Sequence, residues 1–301
     1  MEFEEFREKI AEGLQEIYGN SAEINTGMVI KNNGSRYNGV SIILKDAVCR
    51  AVPVIELDSM YAAFASGRLS LGACIWEVYR SRESFRNPEE VELLAEKAKE
   101  WERVKYKIYP ILLSTEENKE LLEDLVSTPM LDLSVAYVIR GELAGEYTAS
   151  IKITQELLET YGVSVGQLHM QAVGNMEMDG YEFQDLKDLV MRRFPTEVTV
   201  EERGENNKTE IYILTNSANL YGAAGILNRK LLREFAGNRD FIILPSSIHE
   251  TIFIPVTNET DQKFFDEMVS EVNRTQVSLE ERLADHSYYY DAAIGEIRMC
   301  A

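Results

Sequence analysis

Local structure is most clearly specified between residues 241 and 256, which read Phe-Ile-Ile-Leu-Pro-Ser-Ser-Ile-His-Glu-Thr-Ile-Phe-Ile-Pro-Val. Two apolar runs rich in isoleucine and phenylalanine flank a short polar stretch, a pattern that predicts two strands joined by a tight loop. Pro245 ends the first strand, because proline has no backbone N–H to donate to a sheet ladder. The loop between the strands therefore carries four reactive side chains, those of Ser246, Ser247, His249 and Glu250.

The spacing of apolar residues extends this interpretation over the rest of the chain. Apolar side chains at helical spacing predict helices at 2–18, 58–66, 70–81, 118–125, 154–178 with a break at Tyr161-Gly162, 219–236 and 261–273. A longer helix is predicted to start at Asn87-Pro88 and to keep its apolar period as far as Ile108, since asparagine caps helices and proline suits their first turn. Strands are predicted at 22–30, 40–44, 51–55, 131–140, 147–153, 198–200, 211–214, 240–244 and 251–256, with a last hairpin over 287–299.

The order of these elements predicts an α+β fold with antiparallel sheets and packed helices. Strands come in groups that are followed by groups of helices, which differs from the steady strand–helix alternation of a doubly wound sheet. Asn32-Asn33-Gly34 predicts a hairpin turn, because asparagine and glycine tolerate positive φ. We expect either two lobes, residues 1–160 and 161–301, or one interlocked domain.

The composition is that of an acidic globular protein. Among 301 residues, 51 are acidic and 31 are basic, which gives a formal net charge of −20, and 45% are apolar. Such a surface repels phosphate and anionic lipid, so we expect no nucleic-acid partner and no membrane association. The acidic N-terminus does not resemble a signal peptide, and Cys49, Cys74 and Cys300 form no Cys-x-x-Cys motif. These features predict a soluble cytoplasmic protein.

The histidines and glycines form no motif for a metal or a cofactor. His249-Glu250 lacks the second histidine of a His-Glu-x-x-His motif because position 253 is phenylalanine, and His169 and His286 have no partner at ligand spacing. Neither a Gly-x-Gly-x-x-Gly motif nor a P-loop is present. We therefore expect no metal site and no cofactor.

The loop after Pro245 is the first candidate for catalysis. Ser246 or Ser247 with His249 and Glu250 supply the groups that nucleophilic and general-base chemistry needs. The alternative is structural, since serines after a proline commonly bond neighbouring backbone groups in a turn. The Gly-x-Ser-x-Gly elbow of many hydrolases is absent, so both interpretations stay open.

A second polar loop, residues 214–225, is the candidate for ligand binding. A strand leads into Asn216, Ser217, Asn219 and Tyr221, and small residues then open a helix. Free N–H groups at a helix N-terminus bind anions, which favours a ligand site. An asparagine or serine helix cap explains the same pattern, and this structural interpretation is the simpler of the two.

Several segments along the chain carry a resemblance to known sequences. They are Lys31-Asn32-Asn33-Gly34, Ala51-Val52-Pro53-Val54-Ile55 with Tyr61, Asn118 with Leu121-Leu122, Asp132-Leu133, Leu214-Thr215-Asn216 with Gly222-Ala223-Ala224, and Leu244-Pro245-Ser246-Ser247-Ile248-His249-Glu250, the last being the most specific. Together they resemble an uncharacterised family of chains of similar length from gut Firmicutes. The resemblance implies one architecture along the whole chain and an intracellular bacterial setting. It implies no activity and no cofactor.

Two hypotheses about function follow from the residues. The first is a cytoplasmic protein without catalytic activity that binds a small molecule or a protein partner, because catalytic signatures are missing and polar loops lie between apolar strands. The second is a hydrolase-like enzyme that uses Ser246 or Ser247 with His249 and Glu250.

Overall fold

The computed structural model describes residues 1–45, 53–84, 88–143, 147–193, 210–245, 247–258 and 260–299. The chain forms two compact units, one made of Met1–Val104 with Arg140–Ile151 and the other of Lys105–Ile139 with Lys152–Ala301. The lobe boundary between residues 160 and 161 stays a prediction. The α+β class with antiparallel sheets is confirmed.

The first unit packs helices against a small antiparallel sheet. Its elements are α1 (Phe3–Tyr18), β1 (Ala22–Ile30), β2 (Arg36–Leu44), β3 (Ile55–Glu56), α2 (Asp58–Ala65), α3 (Leu71–Glu83), α4 (Pro88–Lys97) and α5 (Trp101–Val104). The predicted turn at Asn32-Asn33-Gly34 is confirmed, since Asn33 has a φ of 56° and Gly34 a φ of 65°. Apolar residues of α1, including Phe6, Ile10 and Leu14, are buried in its core.

The second unit holds most of the strands. It contains β4 (Ile108–Ser114), α6 (Lys119–Asp124), β5 (Ser127–Met130), most of β6 (Leu133–Leu143), α7 (Gln155–Tyr161), α8 (Val165–Met176), β8 (Glu182–Asp185), α9 (Leu186–Arg193), β9 (Tyr212–Thr215), α10 (Arg229–Ala236), β10 (Phe241–Leu244), β11 (Thr251–Pro255), α11 (Gln262–Thr275), β12 (Tyr288–Asp291) and β13 (Glu296–Met299). Strand β7 (Tyr147–Lys152) belongs to the first unit as far as Ile151. Strands β6 and β7 contain residues of both units.

The long helix predicted from Pro88 to Ile108 is wrong. The helix is interrupted between Lys97 and Trp101, and Ile108 opens strand β4. Residues 110–113 of β4 are all buried, and a strand buried on both faces shows a continuous apolar run without alternation. Its first isoleucine therefore coincided with the helical period by chance. The strand predicted at 198–200 and the helix cap at Asn87 lie outside the described residues.

Residues 241–256 lie in a six-stranded sheet. Six antiparallel strands follow the order β13-β12-β10-β11-β9-β8, and β10 pairs with β11 from Phe241↔Pro255 to Leu244↔Ile252. This confirms the predicted strand–loop–strand at residues 241–256. One face packs Ile242 and Leu244 against Val269 of α11, and a second group of aromatic rings, including Phe241 and Phe253, packs around Phe235.

A separate antiparallel sheet has the order β4-β6-β5, with β7 also pairing with β6. Side chains alternate between the faces of a strand. Ala136 and Val138 of β6 join a buried cluster with Ile111 and Leu113, while Val135 and Tyr137 belong to the opposite face. Among the described residues, no helix combines the length and the apolar character needed to cross a membrane.

Candidate functional site

The polar loop after β10 is held in place mainly through the backbone and ring of His249. The His249 N–H donates to Ser247 Oγ at 3.0 Å, and the His249 carbonyl accepts a hydrogen bond from Thr215 Oγ1 at 3.0 Å. The next carbonyl upstream, that of Ile248, accepts from the Ala223 N–H at 3.3 Å. The loop at 247–250 is therefore joined to the segment that follows β9.

The two segments chosen from the sequence, 244–250 and 214–225, thus lie against each other. The Tyr221 N–H donates to His249 Nδ1 at 3.1 Å, and the two rings stack with their centroids 5.6 Å apart. The backbones are so close that a Cβ at Gly222 would lie 2.4 Å from the His249 carbonyl oxygen. Only glycine fits this approach, which explains the residue at position 222.

The hydrogen bond from Tyr221 fixes the protonation pattern of the His249 ring. An Nδ1 that accepts a hydrogen bond carries no proton, so in the neutral ring the proton is on Nε2. Nε2 lies 3.9 Å from Glu281 Oε1, and the His249 side chain is 28% exposed. Proton uptake at Nδ1 would break the bond to Tyr221, which makes this ring a poor general base at that atom.

The serine hydroxyl that the structure describes is not aligned for attack. Ser247 Oγ accepts the His249 backbone N–H rather than meeting its ring, and the Ser247 N–H donates to the Glu250 carbonyl at 3.3 Å. Ser246 lies outside the described residues. Nothing in this geometry favours the hydrolase alternative, and the catalytic assignment of Ser246, Ser247, His249 and Glu250 stays a prediction.

Asn216 uses its side chain to shape the second loop. Its amide nitrogen donates to Asp179 Oδ2 and to the Leu220 carbonyl, both at 2.9 Å, and its amide oxygen accepts the Leu220 N–H at 3.1 Å. Ser217 Oγ donates to the Asp179 carbonyl at 3.2 Å. Asn219 has a φ of 50°, a conformation that asparagine tolerates better than most residues. Ligand binding by Asn216, Ser217, Asn219 and Tyr221 stays a prediction.

A groove in the second unit was not foreseen from the sequence. It has a volume of about 680 Å³ and is formed by the β5–β6 hairpin, α8, the segment leading into α10, and the β12–β13 hairpin. Its apolar lining includes Met130, Val135, Val173, Leu227, Leu232 and Ile297. Pockets for small ligands commonly have this size and an apolar lining with a few polar groups.

His169 supplies one of the polar groups of the groove, and a buried relay fixes its ring. The Tyr137 hydroxyl lies 2.9 Å from His169 Nδ1 and 3.0 Å from Thr128 Oγ1. Both Thr128 and His169 line the groove. Tyr137 is fully buried, and this burial raises the pKa of its hydroxyl, so the hydroxyl keeps its proton. Because Nδ1 is occupied, Nε2 is the ring nitrogen left to meet a ligand.

Arg229 is the cationic side chain in the lining of the groove. It makes no ion pair or hydrogen bond with another described residue, although the chain has 51 acidic residues. Glu296 also lines the groove, but strand alternation places its side chain on the face that carries Arg298 and Tyr289, where Arg298 lies over the Tyr289 ring. The inward side chain of that hairpin is Ile297.

Family membership follows from a match along almost the whole chain. The model of a family of unknown function, DUF5688, matches residues 3–292. The chain belongs to this family. The match confirms the uncharacterised family expected from the resemblance, and its range includes His169, Arg229 and His249. The comparisons with curated proteins and with solved structures found no match.

This member of DUF5688 has a further polar cluster around His286. His286 Nε2 lies 2.9 Å from Asp132 Oδ2, and His286 Nδ1 lies 3.0 Å from the Ser287 carbonyl. Both partners are hydrogen-bond acceptors, so the two contacts favour the protonated ring, in which both nitrogens donate. The Tyr288 hydroxyl donates to Asp132 Oδ1 at 2.9 Å. Among the described residues, no group of three or more His, Cys, Asp or Glu side chains is arranged to hold a metal ion.

Sequence reasoning missed both the groove and the His286 cluster of this DUF5688 chain for the same reason. Asp132 and His286 are 154 positions apart, so no local motif joins them. Arg229 and Lys230 open α10 without an acidic residue in its first turn, which is the reverse of the usual charge order. The sequence prediction placed the start of this helix at residue 219, so it did not reveal this feature.

Proposed function

We propose that the chain is a binding protein whose small-molecule ligand occupies the groove of the second unit. The observation that carries the proposal is the groove of about 680 Å³, with an apolar lining interrupted by His169, Thr128 and Arg229. Geometry of this kind is the usual form of a ligand site. The absence of an aligned serine and histidine at the described loop 247–250 gives the hydrolase alternative no comparable support.

The proposal includes a setting in the cytoplasm of a bacterium from the gut Firmicutes. Support comes from the acidic composition, with a net charge of −20, and from the resemblance described above. A ligand in that setting would be a metabolite rather than a nucleic acid, because the overall charge repels polyanions.

A groove-filling variant tests the proposed function. We would screen apolar metabolites by thermal shift on the wild type, on Val173→Phe, which narrows the groove, and on Val190→Phe as the matched control. Val190 is an exposed valine of α9 outside the groove lining. A ligand at about 100 times its Kd stabilises the protein by about 2.7 kcal/mol, which raises the Tm by several degrees.

We expect such shifts for the wild type and for Val190→Phe, and their loss in Val173→Phe. Shifts that survive in Val173→Phe would place the ligand elsewhere. A screen in which no compound moves the wild-type Tm would overturn the binding function itself.

A further inference from the structure

We infer that the ligand of this groove is an apolar molecule with one anionic end, which binds Arg229 and His169. The inference rests on the proposed function and adds the chemical class of the ligand. It depends on three features: an unpaired cation, a histidine with one ring nitrogen committed, and an apolar wall between the elements that carry them.

The position of Arg229 is unfavourable in the folded chain without a ligand. The first turn of a helix is the positive end of its dipole, where a cation is disfavoured. Arg229 and Lys230 are the first two residues of α10, whose first turn contains no acidic residue. Both side chains are exposed, but Arg229 lines the groove and Lys230 does not. A bound anion would neutralise Arg229 and gain from the same helix dipole.

The relay behind His169 favours the same ligand charge. When the Tyr137 hydroxyl donates a hydrogen bond to His169 Nδ1 in the neutral ring, the ring proton is on Nε2, which can donate toward the groove. When the ring is an imidazolium, Nδ1–H donates to the Tyr137 oxygen and Tyr137 donates to Thr128, so no hydrogen bond of the relay is lost. An anion selects these two states, because Nε2–H is a donor in both.

The rest of the lining favours a ligand that is apolar apart from its anionic end. The wall is formed by Met130, Val135, Val173, Leu227, Leu232 and Ile297, and burying apolar ligand surface against it stabilises the complex. Glu296 also lines the groove, but strand alternation puts its side chain on the same face of the hairpin as Arg298, so its carboxylate opposes an anion less than its place in the lining alone would imply. A carboxylate on a linear or compact apolar chain matches these walls.

Three probes of equal chain length test the charge preference. We would measure binding of decanoate, decan-1-ol and decylamine by calorimetry on the full chain, with the wild type, Arg229→Ala and Lys230→Ala. Lys230→Ala removes the same charge from the neighbouring position outside the groove. We expect decanoate to bind best to the wild type, and Arg229→Ala to weaken it about tenfold, since a hydrogen-bonded charge pair contributes that much. Lys230→Ala should leave it within about twofold.

A second variant tests the relay. Tyr137→Phe removes the hydroxyl that holds His169, and we expect decanoate to bind several-fold more weakly while decan-1-ol binding is unchanged. Folding of the variant is checked by its Tm. If decan-1-ol binds as tightly as decanoate, or if Arg229→Ala and Lys230→Ala behave alike, the anion preference is wrong although the groove still binds ligands. If decanoate does not bind the wild type, the inference is overturned, and the Val173→Phe screen decides the binding function separately.

Discussion

Tyr221 has a φ of 57°, in the left-handed region, which is unusual for a bulky residue and costs on the order of 1–3 kcal/mol. Its surroundings offset that cost. The Tyr221 N–H donates to His249 Nδ1, the two rings stack, and Gly222 brings the chain against the His249 carbonyl. A chemically reactive side chain is thus used as a hydrogen-bond acceptor that holds two loops together.

This role predicts the response to substitution at His249. His249→Ala removes the acceptor of the Tyr221 N–H and should lower the free energy of unfolding by about 1–2 kcal/mol. His249→Asn is the matched control, because its Oδ1 stands near the position of Nδ1 and can accept the same N–H. Urea unfolding of the three proteins checks the order. An alanine variant as stable as the wild type would contradict the structural role and direct attention to function.

At the scale of elements, some features follow from local sequence and others do not. The strands at 241–256 were predictable because Pro245 and the flanking isoleucines act locally. Strands β5 and β8 have four residues each, so they show too little alternation to be recognised and exist through pairing with distant strands. Strand β4 was hidden because its apolar run continues a helical period.

Some residues of the candidate site were likewise predictable from local sequence, and others were not. His249 and Asn216 were found because their loops contain proline, serine and glycine, which mark turns in the sequence. The residue types alone did not show that both side chains form hydrogen bonds within the protein. The groove joins elements from Thr128 to Ile297, and such a cavity depends on packing between elements that are distant in sequence. The unusual charge order at Arg229 became visible only once α10 was found to begin there.

The hairpin between β5 and β6 provides a prediction about pH. Leu131 has a φ of 55° in its turn, and the next residue, Asp132, binds His286. Burial acts to lower the pKa of His286, but hydrogen bonds to the Ser287 carbonyl and to Asp132, with the charges of Asp132 and Asp266, outweigh it and raise the pKa. The stability that this pair contributes is therefore complete below the ordinary imidazole pKa of about 6.5 and is lost as the pH rises through the raised value.

Asp132→Asn should consequently destabilise the protein more at about pH 5.5 than at about pH 9. We expect a difference of up to about 1 kcal/mol, since both side chains are about a third exposed and water screens the pair. Asp124→Asn, at an exposed carboxylate of α6, is the control and should show no such difference. Urea unfolding at the two pH values measures it. An equal loss at both would mean that His286 is not charged in the folded protein.

For the whole molecule, the net charge of −20 is the main electrostatic influence on stability. The ion pairs that the described helices carry are mostly short-range and exposed, such as Arg7–Glu4 and Arg80–Glu77, and exposed pairs of this kind contribute little. The excess carboxylates repel one another in the compact state more than in the unfolded chain. Much of the stability of this protein should therefore depend on how well the solvent screens that repulsion.

Salt should accordingly stabilise the chain. Raising NaCl from about 10 mM to about 150 mM shortens the Debye length from about 30 Å to about 8 Å, and we expect the free energy of unfolding in urea at neutral pH to rise by on the order of 1 kcal/mol. The control is the same titration near the isoelectric point of 4.7, where the net charge and its repulsion vanish and the increment should shrink toward zero. If the free energy of unfolding at neutral pH falls as salt is added, attractive ion pairs outweigh the repulsion between carboxylates. In that case clusters such as Asp132 with His286 would supply the main electrostatic stabilisation of this fold.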